Sequence, residues 1–310
     1  MRITTRLLIT VFLLLTCSSA AVAWNRPGHM VTGAIAYYEL KAHDPSALTR
    51  VISLLKRNPY YQTEWLPRIN ALQDNDPDKH DLYLFMYAAR WPDDVRGTNL
   101  HCEKCHYINF PFRPPGQPAS VIEQPPAPEN ILKAYSRFRK GVENGTSAQR
   151  RAIALSWVFH LVGDIHQPLH TSTIFTVVFP NGDRGGTHFY IRPQEDSKTQ
   201  HLHSFWDGLI ITTQRFSSIR KRARDLLARG DLERSVFTEL SEISFNRWGR
   251  SESLLLAKQD GYLFGHLEGS ADEEDGEVLP DGYADRARAV AERRVVLAGY
   301  RLADILAQMF

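Results

Sequence analysis

Apolar residues recur along most of this chain with the period of an α-helix. After Pro27, which suits a first helical turn, Met30, Ile35, Ala36 and Leu40 follow at roughly helical spacing. The same pattern predicts helices over 46–57, 81–90, 129–142, 147–164, 202–228, 232–247, 250–268 and 283–309. One segment has strand character: Ile174-Phe175-Thr176-Val177-Val178-Phe179, a turn at Asn181-Gly182-Asp183, then His188-Phe189-Tyr190-Ile191. Together these predict a β-hairpin. Pro111 to Pro128 holds seven prolines and reads as an irregular surface loop. Asp272-Glu273-Glu274-Asp275 reads as a solvated loop, and no repeat or linker divides the chain. The expected architecture is therefore a single, mainly α domain with a small hairpin.

The first residues interrupt that pattern. Met1-Arg2-Ile3-Thr4-Thr5-Arg6 is followed by an apolar run from Leu7 to Leu15 and then by Ala21-Val22-Ala23. A basic start, a short apolar stretch and an Ala-x-Ala site make a secretory signal peptide, and the run is too short to span a bilayer. Lipidation at Cys17, after Leu14-Leu15-Thr16, is the competing reading; Ala21-Val22-Ala23 favours cleavage that leaves Trp24 first. Residues 1–23 are then the signal peptide and 24–310 the exported domain, secreted or periplasmic, with no membrane anchor. Losing Arg2 and Arg6 but no acid cancels the formal net charge of +2. A neutral mature chain draws its substrate by a local site, not by a global basic field.

Cys102 and Cys105 survive cleavage and can close a small disulfide loop in an oxidising compartment. With His106 they also match the Cys-x-x-Cys-His attachment signature of c-type haem, which would make the chain an exported electron carrier. Asn144-Gly145-Thr146 is a glycosylation acceptor in a eukaryotic host, a short signal that often arises by chance.

The chain has 12 histidines, and two keep a fixed distance from an aspartate. His160-x-x-x-Asp164 and His203-x-x-x-Asp207 each place imidazole and carboxylate on one helix face, a turn apart. That spacing lets both point at one zinc ion. A single such pair is more often a structural hydrogen bond. Two pairs among Trp157, Phe159, Leu161, Leu202, Phe205 and Trp206 are harder to dismiss, because buried polar groups need strong partners. Trp91-Pro92-Asp93-Asp94-x-Arg96 adds carboxylates, His106 and His170 add imidazoles, and Trp24 with His29 stands at the expected mature terminus. A free α-amino group there can chelate a metal with its own carbonyl oxygen.

In order and spacing these pieces resemble the trinuclear-zinc, single-strand-specific nucleases of fungi, plants and bacteria (the S-one/P-one nucleases). The matching segments are Trp24 with Gly28-His29, Trp91-Pro92-Asp93, His106-Tyr107-Ile108, and His160-x-x-Gly163-Asp164-x-x-Gln167-Pro168-Leu169-His170. Asp183-Arg184-Gly185-Gly186, Leu202-His203-x-x-Trp206-Asp207 and Ala298-Gly299-x-Arg301-Leu302-Ala303 complete the set. The resemblance implies a helical phospholipase C/nuclease-like fold and three zinc ions. One would be held by Asp93, His106, His160 and Asp164; a second by the amine and carbonyl of Trp24, His29 and a shared Asp164; the third by His170, His203 and Asp207. It also implies catalytic roles for Asp93, Asp164 and Arg96, with Arg96 holding a phosphate oxygen, and a base pocket at Tyr107 and Asn109. Asn109 stands where the best-known members carry Asp, and Thr187 replaces an Asn after Gly185-Gly186. The implied substrates are RNA, single-stranded DNA and 3′-nucleotides, cleaved by a monomer to give 5′-phosphates from the polymers.

The nearest rival is a zinc phospholipase C of the same superfamily. There the two histidines of the third site are closer in sequence and a Glu completes it, whereas here the stretch from His170 to His203 is expected to contain a full hairpin and Asp207 follows. A non-catalytic zinc-binding protein is the remaining alternative.

Overall fold

The computed structural model describes residues 24–310, so the expected signal peptide and the lipidation alternative at Cys17 lie outside the described residues. Asn25 starts the first helix by accepting a hydrogen bond from the Gly28 amide on its side-chain oxygen (2.9 Å), a typical N-cap. Helices α1 (Arg26–His43) and α2 (Pro45–Leu55) are separated by Asp44 alone, which caps the second. A π-helical turn at Tyr61–Trp65 leads into α3 (Leu66–Ala71), a helical segment that the apolar pattern does not predict. Then come α4 (Lys79–Asp94), α5 (Ile131–Asn144) and α6 (Ala148–His166). The core lies where α1 packs on α4 and on the last helix, with α6 against α4 and α5. Two glycines permit that crossing: a Cβ at Gly33 would meet the Phe85 carbonyl oxygen at 2.7 Å, and one at Gly299 would meet Ile35 at 2.4 Å.

The helix predicted over 202–228 is two helices, α7 (Leu202–Asp207) and α8 (Phe216–Leu227). Gly208 ends the first, and the linking backbone is held elsewhere, the Ile211 carbonyl accepting from the Asn25 side chain (2.8 Å). The helix predicted over 232–247 is a series of short 3₁₀ turns followed by α9 (Phe245–Arg247). Arg234 and Glu239 in those turns are fixed by pairs with Asp304 and Arg293 of the last helix, so tertiary ion pairs override the local periodicity. The helix predicted over 250–268 is broken: from Trp248 to Gly261 the chain alternates π-helical turns with α10 (Leu254–Leu256), and left-handed Leu263 and Phe264 stop it short of 268. The last helix, α11 (Tyr283–Met309), has the predicted bounds.

The strands depart from expectation. β1 (Phe110–Phe112) pairs in parallel with β2 (Ser172–Ile174), and β3 (Tyr190–Arg192) pairs antiparallel with β4 (Gln200–His201) and parallel with β5 (Glu277–Val278). Ile174–Phe179 and His188–Ile191 therefore do not form a hairpin with each other. The Asp183 carboxylate takes the Ile174 amide (2.9 Å) and Thr173 hydroxyl (3.1 Å), and the Thr176 hydroxyl accepts from the Val178 and Phe179 amides, folding this stretch into a loop. The antiparallel pair formed by β3 and β4 is the small hairpin beside the cleft.

Candidate metal centre and its cleft

Helix α6 carries the middle of the site. Its C-terminal half is buried throughout, so His160 and Asp164 sit one turn apart in an apolar interior. His29 from α1 stacks on His160 with ring centroids 3.8 Å apart. That stacking needs a glycine beneath it, because a Cβ at Gly163 would meet His29 Nδ1 at 2.7 Å. Asp93 from the last turn of α4 and His106, just past the Cys102–Cys105 disulfide, approach from the other side.

These side chains form three groups whose ligand-type atoms lie within 4.8 Å of one another: His29, His160 and Asp164; Asp93, His106 and His160; and His170, His203 and Asp207. The family resemblance divides these side chains differently, placing Asp164 with Asp93, His106 and His160 and sharing it with His29, whereas here His160 is the residue common to the first two groups. The two oxygens of Asp164 face different partners: Oδ1 lies 3.2 Å from His29 Nε2, while Oδ2 lies 3.1 Å from His106 Nδ1 and 3.3 Å from His160 Nε2. Trp24 is fully buried; beside it, the Asn25 amide donates to the Asp207 carbonyl of α7 (3.3 Å).

The third group shows the chemistry of the donor set most directly. His170 donates Nδ1–H to the His106 carbonyl (2.8 Å), and His203 donates Nδ1–H to the Gly185 carbonyl (2.5 Å). A carbonyl only accepts, so in the neutral rings both Nε2 atoms carry lone pairs, and these face each other at 3.1 Å. Asp207 Oδ2 lies 3.6 Å from His203 Nε2, while its Oδ1 accepts from Gln167 Nε2 (2.8 Å). Two nitrogen lone pairs and a carboxylate converging in a buried space are a donor set suited to a cation. Imidazoles tied through Nδ1 to main-chain carbonyls are the usual outer arrangement of metal-binding histidines. His160 repeats the pattern, donating Nδ1–H to the Ala89 carbonyl (2.8 Å). Asp164 Oδ1, Asp93 Oδ2 and His106 Nε2 are buried without hydrogen-bond partners.

The electrostatics agree. Burial, reinforced by neighbouring imidazoles, pushes His29, His106 and His170 well below the ordinary histidine value, and burial takes His160 to about 3. These rings are neutral and available as ligands. Burial raises Asp93 to about 6, against the pull of Arg96 and Arg26, and raises Asp164 and Asp207 well above the carboxylate range. Carboxylates so placed need positive charge, and a bound dication inverts that balance. The residues fit a group of bound metal ions.

The cluster forms part of the wall of an open cleft of about 830 Å³, where Arg96, Tyr107 and Asn109 join His106, His170 and His203. Arg96 Nη2 donates to Asp93 Oδ1 at 2.9 Å, which fixes its guanidinium beside the cluster. Tyr190 and His201 of the β3–β4 hairpin also line the cleft, and none of its described lining residues comes from the proline-rich stretch. Cys102 and Cys105 are joined in a disulfide, so neither sulfur is left for thioether attachment, and His106 faces Asp164; the haem reading is excluded.

Three supporting residues escape assignment from sequence. Gln167 orients Asp207 and accepts from the Leu169 amide (2.5 Å), which explains the Gln-Pro-Leu-His run. Asp183 accepts five hydrogen bonds, from Thr173, Ile174, Gly185, Gly186 and Tyr262, and so sets the loop whose Gly185 carbonyl holds His203. Burial raises its carboxyl to about 6 while those donors pull the other way. His166, buried between two candidate ligands, turns away: its Nδ1 donates to Val162 and its Nε2 accepts from Arg301, which is paired with Glu252. A neighbouring glycine-rich motif points to Asp183; nothing local distinguishes His166 from a ligand.

A helical fold that gathers five imidazoles and three carboxylates beside an open cleft has the donor groups of a metal-dependent enzyme. The chain belongs to the S1/P1 nuclease family, whose model, S1/P1 Nuclease, matches residues 24–310. Endonuclease 1 of Arabidopsis thaliana is 28% identical over 332 residues, covering 100% of this chain and 94% of the relative. Endonuclease 2 of the same plant is 24% identical, covering 98% of this chain and 96% of the relative, and Endonuclease 3 is 29% identical over about half of each (51%). This protein is a nuclease, and among its described residues no helix is long and apolar enough to cross a membrane.

Proposed function

We propose that this nuclease is an exported, zinc-dependent endonuclease and 3′-nucleotidase that hydrolyses RNA and single-stranded DNA to 5′-phosphorylated products. The observation that carries the reading is the convergence of ligand atoms from His170, His203 and Asp207 beside a cleft that also presents Arg96. Neutral imidazole and carboxylate at these spacings is donor chemistry suited to zinc.

Asp93, His106, His160 and Asp164 would hold one ion, and His170, His203 and Asp207 another. His29, Asp164 and the amine and carbonyl of a processed Trp24 would hold a third. Bound zinc supplies Lewis-acid polarisation of a phosphoryl oxygen and lowers the pKa of an attacking water. The protein's own part is placement. Asp164 spans two of the groups, and Asp93 both offers a ligand oxygen and steadies Arg96, whose guanidinium fork donates to a non-bridging phosphate oxygen. Tyr107 offers a ring face on which any unpaired base can stack. Asn109 both donates and accepts, so it tolerates more than one base edge where a carboxylate would only accept.

The test is protein with a verified Trp24 start, assayed for metal content and for turnover of single-stranded DNA, RNA, duplex DNA and phosphatidylcholine. We expect about three zinc ions per chain and preference for single strands. Turnover of the lipid alone would favour the phospholipase reading, and full zinc with no turnover would make the chain a storage or binding protein.

A further inference from the structure

Asp183-Arg184-Gly185-Gly186 is explained by the site only in part. Asp183 and the glycines build the loop that holds His203, but none of that requires an arginine at 184. Arg184 adopts φ of 54°, a left-handed conformation that favours glycine. Because the loop itself makes no use of this side chain, what the guanidinium can reach is the question its position raises.

Its surroundings supply the answer. Arg184 is exposed and lines the same cleft as Arg96. The fixed charges among the described lining residues are Arg96, Arg184 and Glu103. Arg96 is committed to Asp93 (2.9 Å). Arg184 forms no hydrogen bond or ion pair through its side chain among the described residues. Burial raises the Tyr107 hydroxyl and lowers the His188 ring, and in both the Arg184 charge pulls downward, which places it near the ring offered to a base. The donors that fix its backbone are rigid: its own amide donates to the Thr173 hydroxyl (3.1 Å), and its neighbours' amides bind the Asp183 carboxylate. A planar fork of N–H donors on a rigid loop, with no carboxylate to occupy it, is suited to a phosphate.

We propose that Arg184 forms a second phosphate subsite, engaging the phosphate next to the one being cleaved and so favouring polynucleotides over mononucleotides. The inference rests on the nuclease reading above. A mononucleotide has no neighbouring phosphate to offer Arg184, whereas each internal linkage of a strand does. One arginine–phosphate contact releases about 0.7 counterion from a single strand.

The experiment compares zinc-loaded wild type with Arg184→Gly and Arg184→Lys. The glycine variant removes the guanidinium while suiting the left-handed backbone, so loss of the loop does not confound the result; metal content and melting temperature verify this. Steady-state kinetics on a short oligothymidylate and on a 3′-mononucleotide give two KM values. Anisotropy of a labelled phosphorothioate oligonucleotide gives binding without turnover. For Arg184→Gly the ratio of oligonucleotide KM to mononucleotide KM should rise about tenfold, and the slope of log affinity against log salt should fall by about 0.7. Arg184→Lys, keeping the point charge, should restore most of the salt slope. An unchanged ratio would make Arg184 an ordinary surface charge. Equal losses on both substrates would place it on the scissile phosphate. Either result overturns the proposal while wild-type cleavage leaves the nuclease reading standing; wild type that cleaves no nucleic acid overturns both.

Discussion

Residue 163 lies beneath the His29 ring, so its lack of a side chain decides where a candidate ligand can stand. A methyl group there would sit 2.7 Å from Nδ1. In a packed interior such crowding is relieved by moving the ring, at a cost of about 1–3 kcal/mol. Gly163→Ala should therefore fold with a lower melting temperature and lose about one bound metal ion; elemental analysis at unchanged stoichiometry would show that His29 is not a ligand. Asp164→Asn tests the bridging role. Its two oxygens face separate imidazole sets, and an amide offers one oxygen and an N–H in place of two acceptors. Occupancy of two groups, together with nearly all nuclease turnover, should disappear; a variant that keeps three ions and its rate would refute the bridge. Gln167→Ala leaves every proposed ligand in place but frees the Asp207 carboxylate. Loss of such an outer partner typically weakens metal affinity about 10–100-fold, and competition with a chromophoric chelator would measure it.

At the scale of elements, the helices bearing ligands are the most legible. His160 and Asp164 show the i, i+4 spacing of a helix face, and α6 has nearly the predicted bounds because its apolar residues and its Ser147 cap agree. The failures share a cause: side chains that capture backbone or distant partners against the local pattern. Asp183 captures the Ile174 amide and dissolves a hairpin that Val177, Val178 and the Asn181-Gly182 turn advertise. Arg234 and Arg293 fasten the 232–247 segment to neighbouring elements by ion pairs that no periodicity encodes. The link between α3 and α4 shows the same device with a measurable pH dependence. Asp74 accepts from Arg220 Nη1 (2.6 Å) and from the Tyr83 hydroxyl (2.5 Å), tying this link to α8. Burial pushes its carboxyl up, but these hydrogen bonds outweigh it and hold it well below the usual range. A depressed carboxylate stabilises the fold above the unfolded value, near 3.9, and that contribution fades as pH falls below it. Asp74→Asn should lower stability by about 1 kcal/mol at neutral pH, and the gap from wild type should shrink during acid titration followed by circular dichroism.

Over the whole molecule, the candidate side-chain ligands come from positions 29 to 207 and from α1, α4, α6, α7 and the segments around His106 and His170. Ions bound there would join elements that are otherwise linked by packing and a few hydrogen bonds, such as His160 to the Ala89 carbonyl and the Asn25 amide to the Asp207 carbonyl. Chelation should therefore do more than stop turnover: it should lower the melting temperature by several degrees and raise amide exchange at the C-terminal end of α6, with reversal on adding zinc. A chelated protein as stable as the loaded one would mean that the ions do not bind the folded chain in preference to the unfolded one. The Cys102–Cys105 disulfide, finally, bears on how the protein must be made. His106 follows it directly, and in reduced chain the two sulfurs would be thiols, soft ligands competing for zinc within a few residues of the intended nest. Oxidation removes those decoys, so material recovered from a reducing cytosol should be oxidised before it is supplied with metal, and the order of the two steps should decide how much of a preparation is correctly loaded.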